Sequence, residues 1–288
     1  MGRLVILSAI ALCGCGLFPD VNDLSSPDAA LAQDVTVPMD SAPEAAPEAS
    51  PITDSGSDAA DAADAADASD GATCTCSGLV SAYRFYDTNN LGHDYFGNNN
   101  MTTVYGTPTQ SMFTPNGLGG HSLKLDGSST VCIDTGFTFD STSDHTLCWW
   151  SRPDALADRT NQFAQTCSYD TWTSNSGADY LWRINNCNGG TAADLDVPNV
   201  YTVGTWTQIC QTYTAASKTR TVVVNGQTTQ KHTVVDTVPI LEGATSWCIG
   251  SYGTGGFWTG RIYLPLWFDR VLSDSEIQQV YATACCLP

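Results

Sequence analysis

The chain has 288 residues and a formal net charge of −19, from 30 carboxylates against 11 Lys and Arg. Such a balance offers no basic face to nucleic-acid phosphates, so nucleic acid is excluded as a partner class. The acids are unevenly placed: residues 16–72 hold 13 of them and no Lys or Arg, whereas residues 73–288 carry 17 acidic and 10 basic side chains, a net −7 that is ordinary for a solvated domain.

The first element is apolar. Arg3 precedes a run from Leu4 to Gly14 interrupted only by Ser8. Those 11 residues are too few to span a bilayer, which takes ~20 as a helix. A charged start followed by a short apolar segment ending in small residues describes a secretory signal. The stretch Leu12-Cys13-Gly14-Cys15 resembles a bacterial lipobox. That resemblance implies a signal peptide over 1–14, removed so that Cys15 becomes a lipidated N-terminus anchored in the membrane. Gly16 in place of Asp after the cysteine implies the outer membrane. The alternatives are an ordinary signal peptide or an apolar N-terminal strand. Thiolate metal binding is disfavoured, since no His or further Cys follows nearby.

Residues 16–72 are dominated by Ala, Asp, Pro and Ser, and Phe18 is their one aromatic residue. The tract DAADAADAADASDG places Asp every third residue, and like charges at that spacing repel on a helix. A segment this polar cannot bury enough apolar area to offset its ordering entropy, so disorder is expected. As a flexible coil its 57 residues reach ~40–45 Å. The expected role is a spacer holding a domain off a lipid surface; the alternative is an acidic partner-binding tail.

Residues 73–288, 216 in number, suffice for one domain with its own core. They contain ten cysteines, and an even count in an exported chain points to disulfides. Sequence alone fixes no pairing. Cys74 and Cys76 open the domain and Cys285 and Cys286 close it; near-adjacent cysteines bond each other only with strain, so the simplest arrangement ties the two ends together. Cys167 and Cys187 flank the hairpin-like run TWTSNSGADYLWRIN. Cys148 and Cys210 lie in the alternating runs HTLCWWSRP and WTQICQTY, which leaves Cys132 with Cys248. Without CxxC spacing or a His-rich cluster, zinc is not indicated.

The runs GLVSAYRFY, HSLKLDG, TVCIDTGF, TRTVVVNGQ, KHTVVD and GRIYLPLWF are short, rich in β-branched and aromatic residues, and separated by turn residues. Asn225-Gly226 predicts a tight hairpin, because both residues tolerate positive φ. One helix is predicted, in SDSEIQQVYATA, where Ser273 and Glu276 have capping-box spacing ahead of Ile277, Val280 and Tyr281. Many short strands and one terminal helix indicate an all-β sandwich or barrel.

The order of these segments resembles a laminin-G-like domain of the concanavalin-A-like lectin/glucanase superfamily. LVSAYRFYDTNNLGHDYFGNNN is similar to its opening strand and D-x-S-G-N turn, through Asp94, Gly97 and Asn98. LDGSSTVCI is similar to its Asp-Gly hairpin, through Asp126 and Gly127. HTLCWWSRPD places Trp150 on the family tryptophan, and GTWTQICQTYTAASKTRTVVVNGQ and FWTGRIYLPLWFDRVLSDSEIQQVY match the family's later strands in order. The resemblance, over nearly all of 78–282, implies a jelly-roll sandwich of two antiparallel sheets with the N- and C-terminal strands side by side and a short C-terminal helix. It also implies packing roles for Trp150, Trp206, Trp258 and Trp267. No cofactor is expected. The acids that help some relatives hold a structural calcium are replaced here by Tyr263-Leu264, and Phe96 replaces the usual Ser in the turn. Asp87 and Asp94 are the remaining candidate ligands for a hard cation.

Glycosidases of the superfamily need two carboxylates about 5–10 Å apart. Residues 73–288 contain two glutamates, Glu242 and Glu276, the latter better explained as a helix cap. Asp194 and Asp196 share a strand face in TAADLDVP and read more simply as a solvated edge. No G-x-S-x-G occurs, and the four histidines lack an E-x-x-H pattern. No catalytic residue is assigned. For binding, Trp172, Tyr180, Trp182 and Arg183 in the hairpin form a candidate glycan platform, with Tyr180 and Trp182 on one strand face and Arg183 on the other; packing is the competing role. The sequence thus predicts an exported, lipid-anchored protein displaying a recognition domain for carbohydrate or protein. A structural or adhesion module without a small ligand, and a glycosidase, are the alternatives.

Overall fold

The computed structural model describes residues 77–113, 119–133, 142–165, 169–184, 194–237, 247–251 and 255–283. Cys15, the segment 16–72, the terminal cysteines Cys74, Cys76, Cys285 and Cys286, and the Cys167 and Cys187 pair lie outside them. In chain order the strands are β1 (Leu79–Ala82), β2 (Thr103–Tyr105), β3 (Thr109–Phe113), β4 (Gly120–Asp126), β5 (Thr130–Ile133), β6 (His145–Pro153), β7 (Asn161–Gln165), β8 (Tyr169–Ser174), β9 (Asp179–Arg183), β10 (Leu195–Val197), β11 (Thr207–Thr214), β12 (Thr219–Val224), β13 (Gln227–Val235), β14 (Trp247–Ile249) and β15 (Thr259–Phe268); helix α1 (Asp274–Thr283) follows.

The strands form two antiparallel sheets. One runs β13-β12-β11-β6-β15-β4-β3, with β1 added against β15, and the other runs β10-β9-β8-β7-β14-β5-β2. This is the expected jelly-roll sandwich with its short C-terminal helix. The first and last strands lie side by side, Leu79 opposite Phe268 and Ala82 opposite Leu266. The Asn225-Gly226 hairpin forms as the dipeptide predicts, with φ of 52° and 63°. A side chain at Gly226 would meet the Cβ of Tyr281 in α1 at 2.7 Å, so helix and turn approach closely here. Two cross-strand disulfides, Cys132–Cys248 and Cys148–Cys210, join residues directly opposite each other in neighbouring strands.

Alternation along β6 separates two apolar layers. Leu147 and Trp149 point between the sheets, whereas Cys148 and Trp150 point out beneath α1. Trp258 and Trp267 join the inter-sheet core, and Trp150 stacks on Tyr281 with ring centroids 5.0 Å apart. The helix starts where the capping box predicts: the Ser273 N–H donates to Glu276 Oε2 at 2.8 Å, and the Glu276 N–H donates to Ser273 Oγ at 3.3 Å. Ile277 and Val280 then bury against the outer face of the first sheet.

One feature of the core is contrary to simple patterning. In TRTVVV the side chain facing inward beside Val222 and Val224 is Arg220, fully buried. Its guanidinium donates from Nε to Asp236 Oδ2 at 2.8 Å, from Nη2 to Oδ1 at 2.6 Å, and from Nη1 to the Trp182 carbonyl at 2.6 Å. A buried charge left without its partner is far more costly than the intact pair is stabilising. Asp236→Asn is therefore expected to lower stability by about 3–5 kcal/mol in urea unfolding. Replacing both residues with apolar side chains of similar volume should cost much less, and equal costs for the single and double changes would contradict this account.

Candidate functional site

Strands β8 and β9 form the hairpin that TWTSNSGADYLWRIN predicts, closed by a 3-10 turn over Asn175–Gly177. Register sets which side chains share a face. Trp172 lies opposite Leu181, Leu181 opposite Asp196 of β10, and Asp170 opposite Arg183. This row lies on the outer face of the second sheet. Tyr180 and Trp182 lie on the inner face, both 0% exposed. They do share a face, as alternation predicts, but it is the buried one, and this corrects their assignment to a glycan platform. The two large rings release far more apolar surface on burial than Leu181 and an arginine would, and a ring with neither side exposed cannot stack on a sugar. Tyr180 is held by a hydrogen bond from Gln211 Nε2, and burial raises its phenol pKa well above the usual tyrosine value. The Trp182 ring lies 5.3 Å from the Arg220 guanidinium.

Trp172 and Arg183 stay at the surface and meet there. The Arg183 guanidinium lies 5.1 Å from the centroid of the Trp172 ring. Asp194 holds it in place, accepting from Nε at 2.9 Å and Nη2 at 2.6 Å, and this hydrogen-bonded pairing raises the Arg183 pKa further above its usual value. Beside them is a cavity of about 200 Å³ lined by Asp158, Arg159, Trp172, Asn175, Leu181 and Arg183, among others. Its far wall, the 157–160 loop, is pinned to the hairpin. Thr173 Oγ1 donates to the Ala157 carbonyl at 2.6 Å, the Arg159 N–H to the Thr173 carbonyl at 2.8 Å, and the Gly177 N–H to Asp158 Oδ1 at 3.1 Å. Glycine is required at 177: φ is +88°, and a Cβ there would lie 2.5 Å from the Ala157 nitrogen. Sequence reading missed Asp158 and Arg159 because they belong to an irregular loop without motif or periodicity; only the folded hairpin brings them to Trp172.

A family model of the concanavalin A-like lectin/glucanases superfamily, of laminin-G type, matches residues 125–278. The chain belongs to this superfamily. No curated protein sequence matches it. Among solved structures, domain 4 of AbnA, a GH43 extracellular arabinanase from Geobacillus stearothermophilus in complex with arabinotriose, is similar with a TM-score of 0.56 and 18% identity over 70% of this chain and 98% of that one. The binding domain of Paraclostridial Mosquitocidal Protein 1 is similar with a TM-score of 0.54 and 15% identity over 71% of this chain and 52% of that one. The binding domain of botulinum neurotoxin DC in complex with SialylT gives 0.52 and 12% over 71% and 51%. The chain thus spans about half the length of these two toxin domains. At such identities the likeness is one of fold.

Within that lectin/glucanase fold, the candidate metal and catalytic acids are committed elsewhere. Asp94 is 3% exposed. Its Oδ1 accepts the N–H groups of Ala82, Phe96 and Gly97 at 2.9, 3.1 and 3.0 Å, and Oδ2 accepts that of Asn99 at 3.0 Å. Four N–H dipoles aimed at one carboxylate make an anchor for the 94–99 turn. Those bonds already engage both oxygens that a hard cation would use. Asp87 caps the Asn89 N–H at 2.8 Å, and Tyr263 and Leu264, at the positions of the family's acids, are buried in the apolar layer beneath α1. Among the described residues no group of three or more His, Cys, Asp or Glu is placed to hold a metal. Asp194 is bound to Arg183, Asp196 accepts from Ser174 Oγ at 3.3 Å, and Glu242 lies outside the described residues.

Glu276 is doubly engaged. Arg270 donates to its two oxygens at 3.0 and 2.6 Å, and Ser273 caps it in addition. These contacts, Arg270 first, lower its pKa from 4.5 to about 2. A carboxylate whose pKa falls on folding adds stability that is complete above its unfolded value and is lost as pH drops towards the folded one. The helix should therefore loosen between pH 4.5 and about 2. Glu276→Gln should be less stable at neutral pH and show a flatter decline of the urea midpoint over that window; parallel profiles for both proteins would refute the assignment.

Proposed function

We propose that this chain is a recognition protein of the bacterial envelope, which binds a saccharide at the Trp172 cavity without chemically altering it. Cys15 carries the lipid that tethers it to the outer membrane, and the acidic residues 16–72 space the domain from that surface. The observation that carries the binding reading is the outer face of β8 and β9. There a half-buried tryptophan, a carboxylate-locked arginine and a preorganised loop enclose a small mixed polar and apolar cavity. Saccharide sites combine an apolar ring face with a few fixed donors and acceptors. Support from relatives is of the same kind, since the AbnA domain was solved with arabinotriose and the neurotoxin DC domain with SialylT. The commitment of Asp94, Asp194 and Glu276 to structural bonds supports binding over hydrolysis. A role as a structural or adhesion module without a small ligand is favoured only by the burial of Tyr180 and Trp182, and the binding experiment separates the two.

The full-length chain, titrated calorimetrically with arabinotriose, cellotriose and xylotriose, should bind at least one. Trp172→Ala should weaken that binding about tenfold or more, roughly 1.4 kcal/mol, with the Tm little changed. No heat from any neutral or acidic trisaccharide would favour the structural role, and release of reducing ends would favour a glycosidase. The tether is tested separately: intact-mass analysis of the protein from a bacterial membrane should show a diacylglycerol adduct on a chain beginning at Cys15, and Cys15→Ser should move the protein into the soluble fraction. An unmodified full-length product would overturn the anchor.

A further inference from the structure

We infer that the cavity takes one neutral sugar unit, and that Arg159 and Asp158 set this preference. The inference rests on the recognition role proposed above and narrows it to a ligand class.

Charge comes first. Asp158, Arg159 and Arg183 line the cavity, and Asp194 neutralises Arg183. Against the two guanidiniums stand Asp158 and Asp194, with Asp170 beside Arg183 and Asp196 beside Ser174, so the site carries no positive excess, and the surrounding domain, with its excess of acids, repels polyanions. A uronate or sulfate entering here would gain Arg159 but face Asp158 and the general negative field. A neutral hydroxylated ring meets neither conflict.

Unused hydrogen-bonding capacity matches that class. The Arg159 guanidinium is exposed and has no side-chain partner among the described residues. Asp158 gives one oxygen to the Gly177 N–H and keeps the other. Sugar hydroxyls both donate and accept, so adjacent hydroxyls can bridge an arginine and an aspartate on one rim. The volume of about 200 Å³ is below the roughly 300–1,000 Å³ of pockets that enclose drug-sized ligands, which suits a single ring and leaves the rest of a chain in solvent.

Backbone strain falls on Arg159 as well. Arg159 and Asn175, which line this cavity, have φ of 57° and 50°; they are two of the eight described non-glycine residues in this region, which L-residues other than Asn and Asp seldom enter. Arg159 is held there by its N–H bond to Thr173, and neighbouring bonds from Thr173 and Gly177 lock the loop. A left-handed arginine held under such restraint, on the wall of a cavity, points to a task for the residue so positioned. Here that task is to project a guanidinium over the rim of the cavity.

The test uses the full-length chain with arabinotriose and cellotriose as neutral probes and trigalacturonate as the acidic one, read by calorimetry and by tryptophan fluorescence. Trp172 is among the few tryptophans not fully buried, so ligand-induced change should report on this site. A neutral probe should bind with less than about a twofold change in Kd between low and high salt, because no ion pair is formed. Arg159→Gly should weaken it about tenfold or more while leaving the Tm equal or higher, because glycine relieves the left-handed strain. Asp158→Asn keeps the acceptor for Gly177 and should also weaken it, by about fivefold. Preferential binding of trigalacturonate that collapses with salt would overturn the neutral class while leaving the recognition role standing. Neutral binding lost in Trp172→Ala but untouched by Arg159→Gly and Asp158→Asn would overturn the roles of those two residues. Silence from all three probes would sink this inference and the recognition role together.

Discussion

Glutamines that reach across the core hold the two sheets in their relative register. A sandwich built on tyrosine and tryptophan buries large rings, but each buried hydroxyl or indole N–H costs about 1–3 kcal/mol if it finds no partner. A glutamine amide offers a donor and an acceptor at one tip, so one side chain can serve two rings. Gln211 of β11 donates to the Tyr180 hydroxyl and accepts from that of Tyr169, both on the opposite sheet. In the other direction Gln162 of β7 accepts from the Trp149 indole at 2.6 Å and donates to the Tyr201 hydroxyl at 2.6 Å. Arg220 completes the set by capping the Trp182 carbonyl while paired with Asp236. A one-residue slip of any of these strands would turn each partner to the wrong face, so the polar contacts specify register where apolar packing alone would tolerate alternatives.

That constraint reaches the surface through strand alternation. Tyr180 and Trp182 are fixed from inside by Gln211 and Arg220, and with a period of two the residues between and after them must then point outward. Leu181 and Arg183 are thereby aimed outward by the backbone, and Trp172 is aimed through its pairing with Leu181. The outer constellation needs only two further devices, the Asp194 clamp on Arg183 and the hydrogen bonds that pin the 157–160 loop. A site supported in this way is rigid before a ligand arrives, which is what a small binding cavity requires if ordering costs are not to cancel its few contacts.

These connections explain what could be seen in the sequence. Strand and turn chemistry is local, so the Asn225-Gly226 hairpin, the β8–β9 hairpin and the capping box of Ser273 and Glu276 were all legible from adjacent residues. The sandwich itself followed from the order of such signals. Alternation in YLWR also separated Tyr180 and Trp182 from Arg183, but a period of two says that there are two faces, not which is inside. Comparing buried ring area with that of Leu181 would have chosen correctly. Arg220 is harder, because a charged residue in TRTVVV reads as the solvent side until its partner Asp236, 16 residues later, is placed beside it. Asp158 and Arg159 carry no local signal at all, since their role depends on a loop folding back onto a hairpin turn.

The two outer faces of the sandwich are not equivalent, and this difference favours the β8–β10 surface as the functional one. On the first sheet α1 covers Cys148, Trp150 and Cys210, and the helix is itself fixed by the Arg270–Glu276 clamp and the close approach of Tyr281 to Gly226. A ligand there would have to displace a packed apolar layer. On the second sheet the described residues of β8, β9 and β10 present Trp172, Leu181, Arg183 and Asp196 outward, partly exposed, with their positions already set by the core behind them. Covering one face with the chain's own helix stabilises the fold, and the partly exposed row on β8–β10 keeps a rigid patterned surface, so the division between support and recognition follows from where the C-terminal helix packs.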